Sequence, residues 1–283
     1  VVEREPAEGG AVRYLFQSHD GVLFEAVLIP LEAEARFTAC LSSQAGCAMA
    51  CAFCATGRMG LGRHLQAWEM VGAWTTLRDE AAGRLRGAVF MGQGEPFHNY
   101  DAVIRAAAVL CDPCGGRIAA EAITISTVGL VPQLHRYAEE GHRYRLAVSL
   151  TSAVQARREE LLPVAARWPL EALRTAIAAC AASTQKRITV AWVVLGGVNT
   201  GDDEIEALAQ FADLPIRLDL IDVNDARSDG YRRATNDELE RFRDGLSGLG
   251  VPIVRRYSIG REQHAACGML ASRRATTTPG TTC

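Results

Sequence analysis

An α/β fold built on a parallel sheet is what this sequence predicts, on three observations. Short β-branched or apolar runs alternate six times with segments of helical periodicity. Such alternation calls for right-handed βαβ crossovers, and so for parallel strands in an open doubly wound sheet or curled into a barrel. No internal repeat and no linker divides the 283 residues, so one domain accounts for the length.

In chain order, residues 1–11 read as an N-terminal extension. Apolar alternation over Val12 to Phe16 and Val22 to Ile29, joined by the polar turn Ser18-His19-Asp20-Gly21, gives a leading β-hairpin. Parallel strands are expected at Arg36 to Leu41, Gly87 to Met91, Ala122 to Ser126, Arg145 to Leu150, Ile188 to Leu195 and Arg217 to Val223. The helices between and after them are expected at Leu65 to Arg78, Tyr100 to Leu110, Val131 to Glu140, Leu170 to Ala182, Asp202 to Ala212 and Asn236 to Leu249. A seventh strand follows at Val251 to Tyr257. The domain closes near residue 271, and the tail 272–283, with its Thr-Pro-Gly run, is expected to be disordered.

Composition narrows the class. At 48% hydrophobic and 22% charged residues the chain has ordinary globular proportions, which excludes disordered and collagen-like classes for its bulk. No run of eighteen apolar residues occurs, and Val1 to Gly10 is acidic and Gly-rich, so neither a membrane span nor a secretion leader is expected and the cytoplasm is the expected compartment. A net charge of -3 lacks the basic excess of a general nucleic-acid binder, which leaves any RNA contact local. Lys186 is the only lysine; the dominance of Arg carries no functional weight.

Nine cysteines, at positions 40, 47, 51, 54, 111, 114, 180, 267 and 283, read as thiols or metal ligands rather than a disulfide framework. The strongest signal is Cys47-Ala-Met-Ala-Cys51-Ala-Phe-Cys54, directly after the first parallel strand, at the strand edge where βα barrels keep their active sites. Three thiolates can hold three irons of a 4Fe-4S cluster and leave the fourth open to the amino and carboxylate groups of S-adenosylmethionine (SAM). A zinc site or three unrelated buried thiols is the alternative, but structural zinc takes four closed ligands and no fourth stands at finger spacing.

The segment Cys40-Leu-Ser-Ser-Gln-Ala-Gly-Cys47 through Cys54-Ala-Thr-Gly resembles the RlmN/Cfr family of radical SAM RNA methyltransferases. Met91-Gly-Gln-Gly-Glu-Pro96, Ile125-Ser-Thr-Val-Gly-Leu-Val-Pro132, Leu146-Ala-Val-Ser-Leu150 and Ala265-Ala-Cys-Gly268 extend the likeness in family order. The resemblance implies a partial (β/α)6 radical SAM barrel behind a leading β-hairpin, a 4Fe-4S cluster on Cys47, Cys51 and Cys54, two SAM per turnover, and an external electron donor such as flavodoxin or ferredoxin. Gly94, Glu95, Ser126, Ser149 and Asn224 match family positions that contact SAM; a histidine of that set is Thr151 here.

By the same resemblance Cys267 carries a methyl group from one SAM, the carbon adds to an sp2 carbon of a purine, and Cys40 resolves the covalent adduct. A transient Cys40–Cys267 disulfide then remains to be reduced. Glu25 aligns with an acid expected to accept a proton or read adenine. The substrate implied is adenine C2 in RNA, with Arg232-Arg233 and Arg255-Arg256 as candidate phosphate contacts. A small nucleobase-like or heteroaromatic metabolite is the alternative, favoured by the acidic context of Asn224 and, if the family's N-terminal helical domain does not precede this sequence, by the loss of its grip on RNA. A noncatalytic Fe-S protein would have lost Cys40, Cys267 or Glu95, and all three are present. Cys111-Asp-Pro-Cys114 is expected to be structural, and Cys180 and Cys283 incidental.

Overall fold

The computed structural model describes residues 1–272 except 34, 225, 226, 228, 229, 257–259 and 261–263. In chain order its elements are β1 (Glu3–Pro6), β2 (Val12–Gln17), β3 (Leu23–Pro30), β4 (Arg36–Leu41), β5 (Gln44–Cys47), α1 (Ala55–Arg58), β6 (Gly60–His64), α2 (Ala67–Glu80), β7 (Arg84–Phe90), α3 (Tyr100–Cys111), β8 (Ile123–Thr127), α4 (Val131–Glu140), β9 (Arg145–Ser149), α5 (Gln155–Leu161), α6 (Leu170–Thr184), β10 (Ile188–Val194), α7 (Asp202–Leu208), β11 (Ile216–Asp222), α8 (Asn236–Ser247) and β12 (Ile253–Arg256).

Ten strands form one sheet in the order β1-β2-β3-β4-β7-β8-β9-β10-β11-β12, and β5 and β6 form a separate hairpin. From β4 onward every pairing in the large sheet is parallel, as the βα rhythm requires, while β1 to β4 pair antiparallel. Among the described residues the sheet therefore ends at β1 and β12 without closing on itself, as a partial barrel does. Residues 3–6 of the expected N-terminal extension supply the first edge, and the expected seventh strand is β12, shortened to Ile253–Arg256.

Strand alternation divides this sheet into two chemically different faces. One carries Ala88, Phe90, Ile123, Ile125, Leu146, Val148, Val190, Trp192, Leu218 and Leu220, which join Met70, Trp74, Leu110, Leu134, Ile177 and Phe242 of the helices in one continuous core. The other face follows from register. Cys40 pairs with Val89 and Val89 with Thr124, while Ser126 pairs with Ala147, and Ser149 with Ala191, which in turn faces Asp219. Small and polar residues thus line the concave side, and apolar ones the helical side.

The helices begin and end where local chemistry dictates. Thr235 and Glu238 form a reciprocal capping box on α8, and Gly141, at φ 64°, terminates α4 in the left-handed region. The expected helix over 202–212 is shorter: α7 ends at Leu208 and a 3₁₀ turn completes Ala209–Phe211. Helix α5, strand β1 and the β5–β6 hairpin were not anticipated. Phe242 is fully buried, its ring 5.6 Å from that of Trp192. Phe242→Ala is expected to destabilise the protein by about 3–5 kcal/mol, seen as a lower urea midpoint with an unchanged slope.

Candidate active site

The cysteine loop is suspended from the β5–β6 hairpin, whose last pair is Cys47 with Gly60. Gly46 lies at φ 80°, and a Cβ there would stand 2.0 Å from the Gly60 carbonyl oxygen, so only glycine permits this crossing. Cys47 closes β5 and Cys54 caps α1. Between them the Ala52 N–H donates to the Leu161 carbonyl at 3.0 Å and ties the loop to α5. Cys47 and Cys51 are buried and Cys54 half-buried. Burial raises the Cys47 thiol to about 12, reinforced by Glu95 and Cys54, and burial together with Cys54 and Cys47 holds the Cys51 thiol well above its ordinary value.

The raised Cys47 and Cys51 thiols are neutral without a metal, the condition in which metal binding displaces protons. Among the described residues no three His, Cys, Asp or Glu side chains converge at single-ion distances. A 4Fe-4S cluster asks for no such convergence, because each thiolate binds a different iron, so the donor set fits it.

Gly94 and Glu95 follow β7. Gly94 lies at φ 99° with its missing Cβ 2.5 Å from the Cβ of Gln44. That close approach lets Gln44 Oε1 accept the Glu95 N–H at 2.8 Å. Glu95 itself is buried; its Oε1 accepts the Phe97 N–H and its Oε2 the Val128 N–H, both at 2.9 Å. Burial raises its carboxyl to about 7 against those bonds and one from Thr127. Three donors leave one of the carboxylate's roughly four acceptor sites for a further ligand. Ser126 and Ser149 are half-buried on the concave face. Thr151 is fully buried at φ 60°, its carbonyl accepting from Asn199 Nδ2 at 2.6 Å and its hydroxyl without a partner. An orphaned buried hydroxyl beside Ser149 is what a ligand-facing position leaves when the ligand is absent.

The C-terminal segment carries the remaining residues over this mouth. The Ala55 N–H donates to the Gly268 carbonyl and the Thr56 hydroxyl to the Leu270 carbonyl, both at 2.7 Å. Asn224 Nδ2 donates to the Cys267 carbonyl at 3.4 Å. Cys54 consequently acts on the Cys267 thiol, and Cys267 on the thiol of Cys40. Cys40 packs with Ala265 and Leu270 in a small apolar cluster. Burial pushes the Cys40 thiol up to about 12 and desolvation that of Cys267 to about 11. Cys267 remains exposed, so its desolvation counts for less than that of buried Cys40.

Glu25, buried on β3, anchors the end of that segment. Its Oε2 accepts the Ser272 N–H at 2.9 Å and Gln93 Nε2 at 3.1 Å, while its Oε1 pairs with Arg13. Burial raises its carboxyl in spite of these partners.

Other expectations fall outside the mouth. Arg232 forks onto Glu238, Arg255 pairs with Asp222 and Arg256 with Asp219, whereas Arg233 donates only to the neutral oxygens of Val223 and Asn224. Cys111 ends α3, Cys114 is exposed in the following turn, and Cys180 is buried in the core with its thiol on the Leu134 carbonyl; Cys283 lies outside the described residues. Sequence reasoning missed Gln44 and Gln93, the amides that hold Glu95 and Glu25; only their place inside the matched motifs signalled them. It also missed Arg158, buried on α5.

Comparison with known proteins adds an independent line. The Radical SAM superfamily matches residues 41–212. A protein of Anaeromyxobacter sp. (strain Fw109-5) named a probable RNA methyltransferase is 50% identical over 270 residues, 94% of this chain and 80% of that one. One of Heliobacterium modesticaldum named a probable dual-specificity RNA methyltransferase RlmN is 40% identical, covering 93% of this chain and 71% of that one. The crystal structure of a radical SAM methyltransferase from Sphaerobacter thermophilus superposes with a TM-score of 0.91 at 37% identity, over 96% of this chain and 81% of that one.

Glu95 makes the metal-free protein sensitive to pH in a definite direction. A carboxyl whose folded value is raised binds protons more tightly folded than unfolded, so stability is greatest below its ordinary value near 4.5 and falls as pH rises to about 7. Urea midpoints of the metal-free wild type should therefore decline relative to Glu95→Gln across that window; parallel curves would refute the assignment.

Proposed function

The chain belongs to the radical SAM superfamily and, within it, to the RlmN type of methyltransferase, and on that premise we propose that it methylates C2 of adenine in RNA through a methyl group carried on Cys267. The observation that supports this reading best is the position of Cys267, pinned by Gly268 and Leu270 to the cluster loop, with Cys54 acting on its thiol and its thiol on that of Cys40. The names borne by the relatives favour RNA over a small nucleobase-like metabolite. Among the described residues no helix is long and apolar enough to cross a membrane.

In this proposal Cys47, Cys51 and Cys54 hold the 4Fe-4S cluster that the family implies, and Gly94, Glu95, Ser126, Ser149, Thr151 and Asn224 surround SAM. When bound, the cluster supplies the electron that cleaves SAM to a hydrogen-abstracting carbon radical; two SAM are used per turnover and an external donor delivers the electron. Cys267 must lose its proton to take the methyl group by polar substitution. Once the carbon radical from SAM has taken a hydrogen from the Cys267 methyl group and the resulting carbon has joined adenine, the radical adduct gives up one electron to a one-electron carrier and its ring proton to Glu25; burial, by raising its carboxyl, makes Glu25 a stronger base, and Ser272 must first leave its Oε2. Cys40 then attacks the Cys267 sulfur. The sulfur–carbon bond breaks with its electron pair passing to the product carbon, which is protonated, and a Cys40–Cys267 disulfide is left for a thiol reductant.

Intact-protein mass spectrometry after anaerobic incubation with methyl-labelled SAM and RNA tests the order of these roles. Cys267→Ala should carry no methyl group and form no adduct, whereas Cys40→Ala should carry it, react once and stay joined to the RNA. Free turnover by Cys40→Ala would contradict the proposal. Conversion of free adenosine nucleotides with no activity on RNA would move the substrate to the small-molecule class. Cys47→Ala, Cys51→Ala and Cys54→Ala should each abolish reductive SAM cleavage, and cleavage retained in all three would remove the cluster from this loop.

A further inference from the structure

Helix α5 carries a buried cation that the proposed chemistry leaves unused. Arg158 is 1% exposed. Its Nη2 donates to the Val128 carbonyl at 2.8 Å and to the Ser149 carbonyl at 3.4 Å, and its Nε has no partner at all. Among the described residues no carboxylate stands within ion-pair distance of it, although its neighbour Arg157 pairs with both Asp203 and Glu204. A guanidinium buried without a counter-charge costs several kcal/mol by order of magnitude, so such a group persists where a negative charge is to be met.

Its surroundings indicate which charge. One turn beyond Arg158, the Leu161 carbonyl receives the Ala52 N–H of the cysteine loop, and Leu161 and Leu162 pack against Cys51. The thiol whose field reaches Arg158 is that of Cys51. Burial lowers the Arg158 guanidinium to about 10, which still leaves it charged at neutral pH.

We propose that Arg158 is a positioning residue for the iron-sulfur centre: its buried positive charge offsets the negative charge of a three-thiolate cluster and raises the potential at which a one-electron donor reduces it. Reduction adds one electron and no proton to the centre, so an adjacent fixed cation favours the reduced form over the oxidised one. This inference rests on the cluster assignment made above.

The test is an EPR-monitored redox titration of the reconstituted holoprotein without SAM or RNA, with iron content measured alongside. Arg158→Gln can still donate to a carbonyl but carries no charge, and Arg158→Lys keeps the charge. Arg158→Gln should make reduction at least tenfold less favourable, a fall of about 59 mV for a one-electron couple, while Arg158→Lys stays within that range of the wild type. Loss of iron from folded Arg158→Gln but not from Arg158→Lys reads the same charge requirement in binding. An unshifted potential in Arg158→Gln would overturn the inference and leave the cluster assignment standing; a wild type that takes up no cluster overturns both. Should Arg158→Gln fail to fold, Arg158→Lys carries the test, and a fall beyond 59 mV there refutes the role of charge.

Discussion

Two hydrogen bonds, from the Ala55 N–H to Gly268 and from the Thr56 hydroxyl to Leu270, fix the C-terminal segment against the cysteine loop. Everything distinctive about the site depends on that clasp. Cys267 is far from Cys54 and Cys40 in the chain, and the clasp, with Asn224 on the Cys267 carbonyl, Cys40 packed on Ala265 and Leu270, and Ser272 on Glu25, brings the three thiols together. Each such bond contributes about 0.5–1.5 kcal/mol net, so the segment is held firmly enough to define the site and lightly enough to open locally.

The clasp works because the sheet beneath it has two unlike faces. Apolar residues on the helical face bury the core, which frees the concave face to present Cys40 on β4, and Ser126 and Ser149 on the adjacent β8 and β9. Glycines at 46 and 94 then permit backbone crossings that no side chain could share, one shaping the cysteine loop and the other lowering Glu95 onto Gln44. Burial of Glu95 is tolerated because backbone amides occupy its oxygens, and that of Glu25 because the Arg13 guanidinium, the Gln93 amide and the Ser272 N–H do.

Much of this was legible in the sequence. Parallel strands buried on both sides read as uninterrupted β-branched runs, and six of them were placed within a few residues. The cysteine spacing and the Gly-Glu-Pro turn were visible because their chemistry demands particular residues at particular intervals. Short elements escaped: β1, β5 and β6 are four or five residues long and carry no clear period. Helix α5 escaped for a different reason. Its Arg157-Arg158-Glu159-Glu160 run looks like a solvated face, yet the fold turns Arg158 inward and leaves its neighbours outside. Arg232, Arg255 and Arg256 show the converse, since charges that looked solvated and free pair with Glu238, Asp222 and Asp219, while Arg233 meets only the neutral oxygens of Val223 and Asn224.

That Cys40 and Cys267 meet is the claim on which the two-thiol chemistry stands, and disulfide mapping tests it directly. Metal-free protein, mildly oxidised in its folded state and digested under acid to prevent exchange, should yield a peptide joining Cys40 to Cys267, and reduction should release it. Recovery of both cysteines as free thiols, or of Cys267 joined only to cysteines of the 47–54 loop, would contradict the account.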